Sequence, residues 1–179
     1  MYSQVSNKYA HWGRKQEGAA RLKYKIVLRK KYPDIKIREC GLFVGTNTPF
    51  LGASPDGIIE YTDEKMKGVL EIKCLASDKW RSLSPDECCQ DSDFYAEPNS
   101  TTGHLKLKHN HKYYHQVQGQ LALTGLEWCD FVIWTLGGIS VERIYFDADH
   151  WENLTSKLVF YYTKFMLPEL FSRRVLRVA

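Results

Sequence analysis

The strongest constraint on this chain is Gly68-Val69-Leu70-Glu71-Ile72-Lys73, an apolar strand pattern that carries an acid and a lysine two positions apart. Successive strand side chains point to opposite faces, so Glu71 and Lys73 share one face while Ile72 takes the other. Two steps of strand rise separate the charged pair by roughly 6.6 Å, close enough to serve one small reacting centre. An otherwise hydrophobic strand has little reason to keep such a pair unless it lines a polar cleft. Upstream, Ser54-Pro55-Asp56-Gly57 reads as a turn that presents a second acid. Pro suits its second position and Gly is free to take positive φ.

Two carboxylates and one ammonium suit a hard cation. Mg²⁺ prefers oxygen ligands, keeps several waters, and is usually held by one or two carboxylates plus substrate phosphate. Asp56 and Glu71 would supply those carboxylates, and a bound ion lowers the pKa of water and polarises a phosphate. Lys73, a compact cation, would orient the attacking water or offset charge gathering on the phosphate. Each feature alone has a plainer explanation. Asp-Gly is an ordinary turn, and Glu-Xaa-Lys on a strand usually belongs to a cross-strand ion pair on a solvated face. Their combination points to metal-dependent phosphodiester cleavage.

Two flanking segments add to it. A helix is predicted from His11 to about Lys31, with Pro33 beyond its end. Trp12, Ala19, Leu22, Ile26 and Val27 form its expected apolar face, and Glu17 sits among small residues that allow close approach. Downstream, Tyr113 to Thr124 reads as a helix closed by Gly125. On it Gln116 and Gln120 lie one turn apart, with Tyr113 on the same side. Amide side chains there can hydrogen-bond a phosphate, a water or a metal-bound group.

A helical Glu, Ser-Pro-Asp-Gly, Glu-Ile-Lys and Gln-Val-Gln, in that order, resemble the YqaJ-type viral recombinase nucleases, relatives of phage lambda exonuclease within the PD-(D/E)XK superfamily. The resemblance runs roughly from Trp12 to Phe146. It implies an α/β, restriction-endonuclease-like core with a central mixed sheet flanked by helices. It also implies Mg²⁺, with Mn²⁺ as a substitute, held by Asp56, Glu71 and the Ile72 carbonyl. Lys73 would be the catalytic lysine, Glu17 the helical glutamate near the metal, and Gln116 the glutamine that closes the site. The implied activity is 5′-to-3′ exonuclease action on duplex DNA ends in recombination, by a ring-shaped homotrimer with a single-strand-annealing protein as partner. In this family upstream sequence helps hold the DNA end, and the short stretch before His11 leads us to expect that element to be shortened. An endonuclease with the same site, or a non-catalytic nucleic-acid-binding module of the same fold, are the alternatives.

The rest of the chain agrees with one α/β domain over residues 1–179, its core about 11–166. With 179 residues and 44% hydrophobic composition it can bury a sizeable core. Strands are expected at Ile35 to Val44, Gly57 to Tyr61, Val69 to Cys74, Cys129 to Thr135 and Ser140 to Phe146, the last two joined as a hairpin through Leu136-Gly137-Gly138. The charged stretch Glu60 to Lys67 is a hairpin tip. A terminal helix is expected from about Asp149 to Met166, with Pro168 opening a short basic tail. Ser84-Pro85-Asp86-Glu87 has capping-box spacing, and the polar stretch Gln90 to Gly103 reads as a loop, either a gate for DNA or a plain surface insertion. Trp80, Trp128 and Trp134 are assigned to core packing in preference to a subunit interface.

Charge is a weaker guide. Lys plus Arg number 25 against 21 acids, a net +4, which would not by itself mark a nucleic-acid binder. Its distribution says more: Arg14, Lys15, Arg21, Lys23 and Lys25 form one basic group, and Lys106, Lys108, His109, His111 and Lys112 another. Of these Arg14, Lys106, Lys108 and Lys112 are the expected DNA contacts. His104, His109, His111 and His115 lack the partner cysteines of a zinc site. Five cysteines without Cys-Xaa-Xaa-Cys, no signal-peptide pattern and no apolar run of membrane length predict reduced thiols and an intracellular setting, cytoplasmic or nuclear, with no membrane contact.

Overall fold

A computed structural model describes residues 4–61 and 66–173; of the predicted Glu60 to Lys67 hairpin tip, Glu60 and Tyr61 pair with Lys67 and Met66 as strand while 62–65 lie outside the described residues, as does the basic tail past Arg173. In chain order the elements are α1 (Gln4–Arg29), β1 (Ile35–Arg38), β2 (Phe43–Val44), β3 (Gly52–Ala53), β4 (Gly57–Tyr61) and β5 (Met66–Cys74). There follow α2 (Pro85–Cys88), β6 (Ala96–Pro98), β7 (Leu105–Leu107), α3 (Lys112–Thr124), β8 (Trp128–Trp134), β9 (Ile139–Tyr145), α4 (Ala148–Tyr161) and α5 (Leu167–Ser172). Five strands form a mixed sheet in the order β1-β4-β5-β8-β9, with β5 and β8 parallel and the other neighbours antiparallel. This is the α/β core with a central mixed sheet that the sequence predicts.

β5 is the central strand, and its alternation sorts the interior into two layers. Val69, Cys129, Phe131 and Ile133 face one side, against Val117 and Leu121 of α3 and the β6–β7 hairpin. Leu70, Ile72, Val132, Trp128 and Trp134 face the other, against Ala20 and Tyr24 of α1. Gly68 is required in β5, because a Cβ there would lie 2.3 Å from the Trp128 ring. Trp128 and Trp134 are buried, as expected of core tryptophans.

A buried polar network ties α1 to the sheet. Asp130 accepts from Tyr24 Oη at 2.6 Å and from Arg143 Nε and Nη2 at 2.8 and 3.1 Å. Arg143 also donates to Tyr61 Oη at 2.9 Å, and its guanidinium lies 3.8 Å from the Trp128 ring centre. This network fixes the rotation of α1 and corrects the expected apolar face: Leu22, Ile26 and Val27 are 60%, 52% and 37% exposed, while Ala20 and Tyr24 are buried. Turning Tyr24 toward Asp130 of the sheet, and Arg21 toward Glu39 and the Asp56 carbonyl, outweighs hiding three aliphatic side chains, since buried polar groups must be bonded.

Three other expectations change. Ile35 to Val44 is not one strand: β1 ends at Arg38, and β2 pairs with β3 in a separate two-stranded sheet. The stretch Gln90 to Gly103 is not a plain loop, because Phe94, Tyr95 and Ala96 are buried and β6 pairs with β7 in a hairpin. Pro168 does not end the terminal helix. A π-helical segment (Tyr162–Met166) absorbs the break, and Pro168 occupies the first turn of α5, where its missing N–H does no harm. The Ser84–Glu87 capping box forms, and Gly125 caps α3 at φ 68°. All five cysteines are free thiols, and among the described residues no helix is long and apolar enough to cross a membrane.

Candidate active site

The cleft forms where β4 and β5 part company. β4 begins at Gly57, paired with Leu70, so Ile72 and Lys73 run on past the end of β4 while the chain before it turns away through Ser54-Pro55-Asp56. Asp56 fills the gap: its Oδ2 accepts from the Ile72 N–H at 2.6 Å. A side chain thus replaces the missing strand partner, which fixes the carboxyl at the sheet edge. Gly57 permits the sharp approach, since a Cβ there would meet the Arg38 carbonyl at 3.0 Å.

Glu71 lies on the α3 side of β5 and is only 3% exposed. A charge buried that deeply needs donors, and it has them. Gln116 Nε2 donates to its Oε1 at 2.8 Å and Gln120 Nε2 to its Oε2 at 2.6 Å. Lys73 Nζ donates to Glu71 Oε1 and, at 3.0 Å, to Gln116 Oε1, and it sits 4.4 Å from the Tyr113 ring centre. The i, i+4 spacing of the glutamines lets one face of α3 grip both carboxylate oxygens. On the other side Glu17, from α1, accepts from Arg21 Nη2 at 2.7 Å, and the same nitrogen donates to the Asp56 carbonyl at 2.9 Å.

The electrostatics are lopsided. The Asp56 carboxyl is pushed up to about 7, first by burial and then by the charge of Glu71, with Glu17 adding to it and the Ile72 N–H and Lys73 opposing. The Cys74 thiol is pushed up to about 12 by burial and by Glu17 and Asp56, so the negative field reaches the next residue of the strand. Crowded carboxylates of this kind are what a divalent cation offsets. Among the described residues no group of three or more His, Cys, Asp and Glu side chains forms a metal cage. Two carboxylates and a backbone carbonyl fit Mg²⁺, which completes its shell with water and phosphate, better than a metal that needs a full protein cage.

The expected site residues Glu17, Asp56, Glu71, Ile72, Lys73 and Gln116 are therefore brought together, Glu71, Lys73 and Gln116 by direct hydrogen bonds, Asp56 by its bond to Ile72, and Glu17 through Arg21. Of the expected DNA contacts, Arg14 and Lys112 are exposed, Lys112 with its Nζ 5.6 Å from the centre of the Tyr113 ring that Lys73 also faces; Lys106 pairs with Glu97 at 3.1 Å, and Lys108 Nζ donates to the Ser92 carbonyl at 3.0 Å. Two more residues stand here that the sequence does not place among the catalytic or metal-binding ones: Gln120, noted above for its spacing from Gln116, and Arg21, grouped above with the bases of its helix, which stands one turn from Glu17 and bonds the Asp56 carbonyl.

The model of the YqaJ-like viral recombinase domain matches residues 1–127, more than two thirds of the chain. The chain belongs to this family. The matched part of this YqaJ-like domain holds every residue of the cleft, from Glu17 to Gln120. Among solved structures, LHK-Exo in complex with dAMP is 24% identical with a TM-score of 0.64, covering 94% of this chain and 74% of that one. The alkaline exonuclease LHK-Exo from Laribacter hongkongensis matches at the same identity and TM-score, over 95% and 75% of the two chains. These likenesses establish the shared fold of the YqaJ-like domain. A search of curated proteins gave no significant match.

Proposed function

We propose that this YqaJ-like domain is a Mg²⁺-dependent deoxyribonuclease that hydrolyses phosphodiester bonds at the ends of duplex DNA, from 5′ to 3′, during recombination. The observation that carries the reading is Glu71: a carboxylate 3% exposed, gripped by Gln116, Gln120 and Lys73, on the strand that Asp56 caps. A core ion pair serving stability alone has no need of two amides, one of them on an exposed residue. The exonuclease similarity in fold and the family membership support the substrate class.

Asp56, Glu71 and the Ile72 carbonyl would hold the cation, with Mn²⁺ as a substitute. When bound, the ion lowers the pKa of a water and draws charge from the phosphate. The chain's own groups do the rest. Lys73 presents Nζ beside Glu71 and would offset charge developing on the scissile phosphate. Gln116, bonded to both Glu71 and Lys73, holds the two in register and keeps an exposed amide beside the substrate. Glu17 would stand beside the metal, and Arg14 and Lys112, both exposed, would meet DNA phosphates. A homotrimer, a single-strand-annealing partner and an intracellular setting belong to the same proposal, supported by the family.

End-labelled linear duplex and closed-circular duplex, each with Mg²⁺ or EDTA, test it. Loss of the linear DNA alone, only with Mg²⁺ and starting from the 5′ label, is the expected result. Cutting of the circle would replace the exonuclease with an endonuclease, and salt-sensitive binding without cleavage would leave a nucleic-acid-binding module.

A further inference from the structure

Arg21 joins three segments at the cleft. Its Nη2 donates to Glu17 Oε1 at 2.7 Å and to the Asp56 carbonyl at 2.9 Å, and its Nη1 donates to Glu39 Oε1 at 2.8 Å. One planar fork thus links α1, the Ser54–Asp56 turn and the segment after β1. The side chain is 21% exposed, and its Nε is buried without a hydrogen-bond partner. A base whose purpose is to meet DNA keeps its guanidinium toward solvent. Here three acceptors occupy it.

The bond to the Asp56 carbonyl matters most. Asp56 must keep its carboxyl on the Ile72 N–H while like charge from Glu71 and Glu17 pushes it away. Arg21 fixes the backbone from which that carboxyl hangs, and with the same nitrogen sets how near Glu17 stands. We propose that Arg21 is a positioning residue of the nuclease centre, holding Asp56 and Glu17 at the spacing a divalent cation needs without touching DNA. The inference rests on the nuclease reading of Asp56, Glu71 and Lys73. Lysine would substitute only in part, because a single ammonium on a flexible stem cannot reproduce the planar fork.

The test uses the whole chain and two readouts: the rise in melting temperature on adding Mn²⁺, and cleavage of linear duplex. Arg21→Gln is expected to raise the Mn²⁺ midpoint of both about tenfold, as loss of an outer-sphere partner does. It should lower kcat while leaving KM for DNA and its salt dependence unchanged. Arg21→Lys should show the same midpoint shift in part, and it carries the test if Arg21→Gln does not fold. A higher KM with a salt slope reduced by about one and an unmoved Mn²⁺ midpoint would make Arg21 a phosphate contact and overturn the proposal. Glu71→Gln separates the two levels. If wild type ignores Mn²⁺ as Glu71→Gln does, the nuclease reading fails and Arg21's role with it. If wild type responds, Glu71→Gln does not, and the Arg21 variants match wild type, only the role of Arg21 fails.

Discussion

Replacing Gln120 with leucine separates the support of Glu71 from the stability of the core. Gln120 is 1% exposed; its Nε2 donates to Glu71 Oε2 at 2.6 Å, while its Oε1 is buried with no partner. Losing a hydrogen bond to a charged group costs about 1.5–3 kcal/mol, and removing an unsatisfied buried acceptor recovers about 1–3 kcal/mol. Leucine has a helix propensity at least as good as glutamine's. The two terms nearly cancel, so unfolding free energy is expected to change by under about 1 kcal/mol, within about 2–4 °C in Tm for a chain of this size. Activity has no such compensation. Glu71 would keep donors on Oε1 only, and loss of a partner that orients a ligand carboxylate typically costs about tenfold or more in metal affinity or rate. Urea denaturation followed by circular dichroism, paired with single-turnover cleavage across a Mg²⁺ titration, reads both quantities. Gln116→Leu is the comparison: it removes a donor from Glu71 Oε1 with no orphaned acceptor to recover, so a stability loss of up to about 1.5–3 kcal/mol should accompany a fall in rate at least as large. An unchanged rate in Gln120→Leu, or a stability loss beyond about 3 kcal/mol, would refute the idea that this amide is there to hold Glu71.

Asp130→Ala should destabilise the fold by about 3–5 kcal/mol, because Arg143 would be left uncompensated beside Trp128. The double variant Asp130→Ala with Arg143→Met should lose less than the two single losses added, and strict additivity in urea denaturation would contradict the coupling. Glu142 accepts the Leu107 N–H at 2.6 Å, and burial pushes its carboxyl up to about 7. Its folded form keeps a proton that the unfolded chain has released above the usual carboxylate range. Its contribution to stability is therefore full below about 4.5, falls as pH rises and is lost above about 7. The ceiling is roughly 3 kcal/mol, and solvent screening of a half-buried group reduces it to about 1–2 kcal/mol. Glu142→Gln, which can still accept from Leu107, should flatten that part of the stability–pH curve; an unchanged slope would contradict it.

The sheet and the cleft were legible because their signals are local. Val69 to Cys74 alternates between two interior layers, and the Asp56 turn precedes it at a spacing that a hairpin can close. The i, i+4 pair Gln116 and Gln120 could be read as one face of a helix. The rotation of α1 could not, because it depends on Asp130 and Arg143, more than a hundred residues away in sequence, and on the need of Tyr24 for a partner. Leu22, Ile26 and Val27 made the better apolar stripe and lost to that requirement. The basic residues divide for a related reason. Composition groups Arg21 with Arg14 and Lys106 with Lys112, whereas tertiary contacts give Arg21 to Asp56 and Lys106 to Glu97. The β6–β7 hairpin is hidden by polar neighbours, and only Phe94, Tyr95, Leu105 and Leu107 betray a buried segment.

The most direct measurement is the single-turnover rate of Lys73→Ala and Glu71→Gln on end-labelled linear duplex, with the Mn²⁺-induced rise in melting temperature recorded on the same samples. Lys73→Ala should still gain stability from Mn²⁺ yet cleave about 10² or more slower than wild type. Glu71→Gln should lose both the response to Mn²⁺ and cleavage while remaining folded. Cleavage at the wild-type rate by either folded variant would contradict the assignment of this cleft as the nuclease centre.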